Sequence, residues 1–490
     1  MKKKENKHPD WQTTALERFS YYLGMISPYT MSGMMKSLLT TYLLLTGINP
    51  GITAIILLIL KVIDGLDDIL FGWIIDHFRP EKKPGLKRIL GEGRFLPWYK
   101  LVCLIMPVGI LGLYSMPLSL SLGFKIAWVS FFYLLTDIGY SFMDISMTSM
   151  QTTLTSNVQE RDQLIMKGVV TVLLIMMPIS LLANFLQSRY AGLSYTQIAY
   201  VFVGLAILLM IPMLKNVKEH AYTGKDENNH NVLEEKESFF VSMKDALKNR
   251  NLLAFFGGKL FCCIFATDEV LGIIGVYYLF GNEMVSSITG FIGTILSLII
   301  LPFMPKLYEK FDRHKIYMTL TPFAIIMSIV IFIAGPKNLV LYIILWILVS
   351  IPKSIAGGCE NFIKPQVIEY GKYKTGKDCT GIQASLATFV QVLGNAFPSS
   401  IALTILAASG WISVEASSFA DLVALGVTQP DSALKALWFI TAGLPIVGMI
   451  LMYICNLFYN TNDKDIAIMI KYNNGEITKE ECDSLLSKKY

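Results

Sequence analysis

KVIDGLDDILFGWIID, residues 61–76, sets Asp64, Asp67 and Asp68 inside a run otherwise apolar enough to lie in a membrane, since residues 51–60 and 69–75 carry no charge. On a helix, Asp64 and Asp68 fall one turn apart on one face, with Asp67 between them and Lys61 beneath, seven residues before Asp68. Burying such groups in hydrocarbon costs about 2.5–3.5 kcal/mol or more per charge, so an ionisable cluster at membrane depth points to a functional site. Two readings stand. One is an ion-binding site; the other is a Lys61–Asp salt bridge that only fixes packing. A single pair satisfies the second, and it leaves the other carboxylates unaccounted for.

Composition agrees with a membrane setting. The chain is 53% hydrophobic and 16% charged, with a mean hydropathy of +0.51, which places it among polytopic membrane proteins rather than soluble enzymes. The basic start MKKKENKHPDWQ is not followed by a short apolar core with a small-residue cleavage site, so the amino terminus is expected to stay in the mature protein. The net charge of +5 gathers in short loops between apolar runs, a pattern that membrane orientation produces and nucleic-acid binding does not require. Cys103, Cys262, Cys263, Cys359, Cys379, Cys455 and Cys482 mostly lie in apolar runs and form no CxxC pair, so they read as small buried residues rather than disulfides or metal ligands.

Runs long enough to cross about 30 Å of hydrocarbon fall roughly at 21–45, 52–75, 100–120, 124–153, 165–186 and 197–214. Six more fall at 252–280, 287–304, 316–334, 339–363, 380–408 and 434–458. The expected fold is an all-α polytopic membrane protein of about twelve transmembrane helices. Its parts are a tail at 1–20, a six-helix half at 21–214, a polar central loop at 215–250, a second half at 251–458 and a tail at 459–490. Arg79, Lys82, Lys83, Lys87, Arg88 and Arg94 crowd the connection after the second span, and 306–315 and 372–377 are also basic; the alternate loops 47–51 and 281–284 hold no Lys or Arg. By the positive-inside rule both termini and the central loop are cytoplasmic, in a cell-membrane protein. The outward loop 409–433 is longer, polar and acidic, and is expected to cap the outer vestibule. In the carboxyl tail, Thr478 followed by Glu481 is a capping-box signature for a short helix ending near Ser487, within a segment read as solvated.

No GxxxxGK[ST] loop offers ATP as a driver, and no HExxH signature or nucleophile–base arrangement supports an enzyme. About twelve spans, halved by a loop and carrying buried charges, fit a secondary transporter.

Gly72, Asp76 and Arg79 form a Gly-xxx-Asp-xx-Arg pattern that resembles the loop signature of the major facilitator superfamily, where the Asp caps a neighbouring helix and the Arg pairs across a gate. KVIDGLDDILFG at 61–72, GRFLPW at 93–98, Met143-Asp144-Ile145, ERDQL at 160–164 and VIEYGKYKTGK at 367–377 together resemble the glycoside–pentoside–hexuronide:cation symporters typified by the melibiose permease. These stretches spread over both halves and keep their order.

The resemblance implies that Asp64 and Asp68 hold a coupling Na⁺ or H⁺, with Asp67 as an auxiliary ligand or partner for Lys61 and Ser141 adding a hydroxyl. Oxygen ligands suit hard cations. It implies that Asp144 accepts hydrogen bonds from sugar hydroxyls. Elsewhere the pattern departs: Tyr29 stands for an aspartate, Thr148 for a stacking tryptophan, Val169 for an arginine with Lys167 close by, and Gln391 for a lysine with Asn395 one turn on. Asp268 and Glu269 sit mid-way along the seventh expected span with Lys259 two turns before, and Lys353 and Glu360 share a face of the tenth. Each set either touches substrate, gates the halves or snorkels to the interface. The expected function is a monomeric, cofactor-free symporter in the lipid bilayer, coupling a sugar or glycoside to a monovalent cation. A lysolipid cargo and a non-transporting sensor are the alternatives.

Overall fold

The computed structural model describes residues 11–221, 248–268, 270–376 and 380–490, with the backbone alone at 66–69, 72, 73, 76, 77, 81, 158, 169, 173, 301, 305, 361 and 380–389. The side chains of Asp67, Asp68, Asp76 and Val169, and all of Glu269 and Cys379, therefore lie outside what is described. The described residues divide into two compact units, one from Met1–Asn231 with Ser413–Thr428 and the other from Val232–Ile412 with Gln429–Tyr490.

The first unit holds α1 (Ala15–Leu44), α2 (Pro50–His77), α3 (Pro84–Leu90), α4 (Leu96–Val102), α5 (Ile105–Tyr114), α6 (Leu122–Leu154), α7 (Val158–Gln187) and α8 (Tyr195–Asn216). Their starts follow local chemistry. Thr14 and Glu17 close a capping box on α1, Asn49 caps α2 with proline at its first position, and Ser194 with Gln197 closes a second box on α8.

Helices α5 and α6 cross at Gly109 and Gly139. A Cβ built on Gly139 would lie 2.4 Å from the Met106 backbone nitrogen, and one on Gly109 would lie 2.6 Å from that of Thr136. Because backbone cannot step aside, Gly139→Leu is expected to cost about 1–3 kcal/mol or more and to lower the yield of monodisperse protein in detergent. Yield equal to the parent's would count against the close crossing. The crossing also sets the rotation of α6: with Gly139 against α5, Tyr140, Asp144 and Thr148 turn to the other side.

The second unit holds α9 (Arg250–Ile264), α10 (Gly272–Phe280), α11 (Met284–Ile300), α12 (Met304–Tyr308), α13 (Arg313–Ala334), α14 (Leu339–Thr375) and α15 (Thr380–Ala408). After α16 (Phe419–Leu425), which folds with the first unit, come α17 (Asp431–Trp438), α18 (Leu444–Asn456), α19 (Asp463–Asn473) and α20 (Lys479–Leu485). A π turn, Phe439–Gly443, joins α17 to α18.

Eight helical stretches among the described residues are long and apolar enough to cross a membrane, or nine if α10 and α11, bent by 117°, form one broken span. α1 and α2 are long enough but too polar to qualify, because α1 carries a stripe of tyrosine, serine, threonine and lysine and α2 carries its carboxylates. The seventh expected span is not one helix. It breaks at 265–271, where Thr267, fully buried, donates to the Ile440 carbonyl at 2.6 Å inside the π turn. Asp268 therefore sits in a turn, not mid-helix as expected.

The expected tenth span also overshoots. At 37 residues, α14 reaches about 55 Å, well beyond a 30 Å hydrocarbon core, and its final turns carry the tail. The capping box at Thr478 and Glu481 starts α20, but the tail is packed rather than solvated. Ile466, Met469 and Cys482 are buried against Tyr370 and Tyr373. Burial raises the pKa of the Asp465 carboxyl, but hydrogen bonds from Ser487, Tyr490 and Asn462 outweigh it and hold the group below the ordinary aspartate range.

Part of the loop at 409–433, expected to face outward, folds into the first unit. The Ala416 amide donates to the Leu45 carbonyl at 3.0 Å, and that of Tyr195 donates to Ser417 at 3.4 Å. Phe419 and Leu422 are buried, and Lys125, 5% exposed, donates to Glu415 at 2.6 Å and to the Thr46 carbonyl at 2.8 Å. Within the second unit, the Gln429 side chain bonds both the amide and the carbonyl of Ile412, closing the neck of the loop.

Candidate substrate and cation sites

In the first unit, α1 and α6 bring Tyr29 and Asp144 together. The Tyr29 hydroxyl donates to Asp144 Oδ1 at 2.9 Å, and Tyr140 meets the Tyr29 ring edge-on, centroids 6.3 Å apart. Both Tyr29 and Asp144 are half-buried, so the carboxylate keeps capacity to accept from a ligand. Where an aspartate would have competed for the same hydroxyls, the tyrosine instead orients Asp144. Thr148 is exposed and spends its hydroxyl on the Asp144 and Ile145 carbonyls of its own helix. Ser141 is buried on α6.

On α2, Lys61 and Asp64 are half-buried, and Lys61 feels both Asp64 and Lys36 of α1 electrostatically. The α2 backbone carries positions 64 and 68 one turn apart, as the spacing requires. Arg79 begins the turn Pro80–Lys82 beyond the end of α2. Lys167 is exposed and pairs with Gln163 on its own helix at 3.3 Å, so it does not join Asp144 as a substitute for an arginine.

In the second unit the charges pair between the two sets that the sequence grouped by helix. Lys259 of α9 meets Glu360 of α14 at 2.6 Å, and Lys353 of α14 meets Asp268 at 3.6 Å. The break in the seventh span takes Asp268 off the helix that carries Lys259. Gln391 and Asn395 are exposed on α15.

Two of the matched stretches serve the scaffold. The Glu219 carboxylate accepts the amides of Arg94, Phe95 and Leu96 at 3.1, 2.9 and 2.6 Å, capping α4, and a Cβ on Gly93 would lie 2.6 Å from Glu219 Oε1. Glu160, fully buried, takes the Gln12 and Thr13 amides at 2.9 and 3.1 Å and the Thr155 hydroxyl at 2.6 Å, tying the start of the chain to the α6–α7 turn. Sequence reasoning assigned these carboxylates no role. It also passed over Lys36 and Tyr140. Lys36 was legible as a lone charge inside the first expected span, whereas Tyr140 had no local signal.

A family profile described as MFS/sugar transport protein matches residues 20–463. The chain belongs to that family. It is thus a member of the glycoside–pentoside–hexuronide symporters of the major facilitator superfamily, and a membrane transporter rather than an enzyme. Among its relatives, a protein of Bacillus subtilis strain 168 described as "Uncharacterized symporter YnaJ" is 23% identical over 92% of this chain and 93% of its own length. The isoprimeverose transporter of Lactiplantibacillus pentosus is also 23% identical, over 91% of this chain and 88% of its own. The fold resembles that of a bacterial homologue of the human lysosomal transporter Spinster, with a TM-score of 0.60 at 12% identity over 91% and 95% of the two chains. A D-xylose–proton symporter gives 0.57 at 10% identity over 89% and 95%. The major facilitator fold expected from the sequence is the fold of this protein.

Proposed function

We propose that this protein is a cation-coupled symporter that imports a sugar or glycoside by alternating access. The observation that carries the reading is the Tyr29–Asp144 pair, a half-buried carboxylate oriented by a phenol within a membrane helix bundle. A buried charged acceptor discriminates strongly for hydroxyls, because leaving it unpaired is costly. The family description and the isoprimeverose transporter among the relatives support a sugar cargo.

A monovalent cation, Na⁺ or H⁺, binds Asp64 with Asp68 and relieves the repulsion between their charges. Asp67 and Ser141 supply further oxygens. Binding raises the affinity of the site around Asp144, and by linkage the substrate raises cation affinity by the same factor. The loaded halves then rock to open inward. The protein acts as a monomer in the cell membrane with both termini cytoplasmic, and it needs no organic cofactor.

The test is uptake into proteoliposomes with and without Na⁺ and across a pH gradient. Asp64→Asn and Asp68→Asn are expected to abolish cation stimulation while leaving the protein inserted. Unchanged stimulation in both would sink the cation assignment, and uptake of lysophospholipid in place of any sugar would sink the cargo.

A further inference from the structure

Residues 413–428 pack as part of the first unit, yet the chain enters and leaves them from the second. The stretch is therefore a strap, and both of its attachments are built. On the first unit, Glu415 forms an antiparallel bridge with Thr46, and Ser418 forms one with Ser194. Phe419 and Leu422 of α16 are buried, and the Lys125 ammonium holds Glu415 and the Thr46 carbonyl together. Gly47 sits at φ 74°, and a Cβ there would lie 2.5 Å from the Glu415 Cγ, so the crossing needs a glycine on both counts.

On the second unit, the Gln429 side chain accepts the Ile412 amide at 2.9 Å and donates to its carbonyl at 3.0 Å. Trp411 meets Tyr278 of α10 edge-on, ring centroids 5.2 Å apart, and the Ser432 hydroxyl donates to the Ser409 carbonyl at 2.7 Å. From the neck at Ile412 to the docked amide of Ala416 the chain takes four steps, which reach about 14 Å at full stretch. The strap has little slack.

A strap rooted at both ends resists any parting of the two halves on the face that carries it, and alternating access needs each face to open in turn. Release is easier at the first unit than at the neck, because the Glu415 side chain is already 56% exposed to water, whereas Gln429 is only 6% exposed. We propose that 413–428 is a releasable latch: docked, it opposes opening of the face that carries it, and it must leave Thr46 and Ser194 before that face can open. This rests on the reading of the protein as an alternating-access sugar transporter.

The test is a disulfide closed across the latch. Opposed residues of an antiparallel bridge stand at disulfide distance, so Ser194→Cys with Ser418→Cys is expected to cross-link under copper phenanthroline, read on the isolated peptide. Proteoliposome uptake is measured for whichever of a panel of pentoses, hexoses, hexuronates and disaccharides the parent transports. Oxidation is expected to lower uptake by the double variant on the order of tenfold or more, dithiothreitol to restore it, and neither single variant to respond. Separately, Phe419→Ala removes the largest buried anchor and is expected to raise maleimide labelling of Ser418→Cys on the order of tenfold or more.

Parental uptake by the cross-linked protein overturns the inference while leaving sugar transport standing, because the strap would then ride on the first half throughout the cycle. Failure of the disulfide to form also overturns it, as does labelling unmoved by Phe419→Ala, because the strap would then not be docked as a latch. Should the reduced double variant not transport, Thr46→Cys with Glu415→Cys, opposed across the other bridge, reads the same outcomes. Absence of uptake of every sugar in the panel by the parent fells the underlying reading instead.

Discussion

Glu360→Ala is expected to destabilise the second unit by about 3–5 kcal/mol, the range for breaking a buried ion pair by removing one partner. Lys259 and Glu360 meet at 2.6 Å, with side chains only 29% and 13% exposed, so the alanine leaves an ammonium in the helix interior without its counter-charge. The double variant Lys259→Met with Glu360→Leu should recover most of the loss, because the charge that needs a partner is gone with it. Thermal unfolding of the detergent-solubilised protein, compared across the two single variants and the double, measures both effects. A Glu360→Ala protein as stable as the parent would mean that Lys259 reaches water. The looser Lys353–Asp268 pair, at 3.6 Å and with both side chains more than a third exposed, should matter much less.

The second large effect concerns transport. Asp144→Asn is expected to lower uptake on the order of a hundredfold, because a carboxylate accepts hydrogen bonds from ligand hydroxyls far better than an amide does. Tyr29→Phe should lower it on the order of tenfold, by releasing Asp144 from its orientation rather than by removing the acceptor. Measured as kcat/KM in proteoliposomes with matched amounts of inserted protein, the two variants separate recognition from positioning. Near-parental uptake by Asp144→Asn would reduce Asp144 to a helix-packing acceptor for Tyr29.

Much of the class was legible in the residues. Runs of apolar residues reveal spans because hydropathy is a local property, and α6, α7, α8 and α13 fall close to where the apolar runs place them. The capping box at Thr478 was legible for the same reason, since a cap is decided within four residues. The failures share an opposite cause. The seventh span reads as continuous because its apolar run is continuous. It breaks because Thr267 finds a carbonyl in a π turn more than a hundred residues away. The tail reads as solvated because its own sequence is polar, yet it packs because α14 runs on to present Tyr370 and Tyr373. Lys167 stood near the right place in the chain, but its helix turns it to Gln163 instead.

The stretch 61–76 shows how far a sequence reaches by itself. It determined that charged groups sit inside a long, largely apolar helix and that 64 and 68 share a face, since both depend on spacing along one chain, and with the stretches at 93–98, 143–145, 160–164 and 367–377 it showed which transporter family the chain resembles. Only the tertiary structure decided the partners: Tyr29 with Asp144, Lys259 with Glu360, Lys353 with Asp268, and Lys36 within the field of Lys61. Partnership depends on the rotation and height of each helix against its neighbours. Those are set by close crossings such as Gly109 on Gly139, whose two sides lie far apart in sequence and leave no periodicity behind.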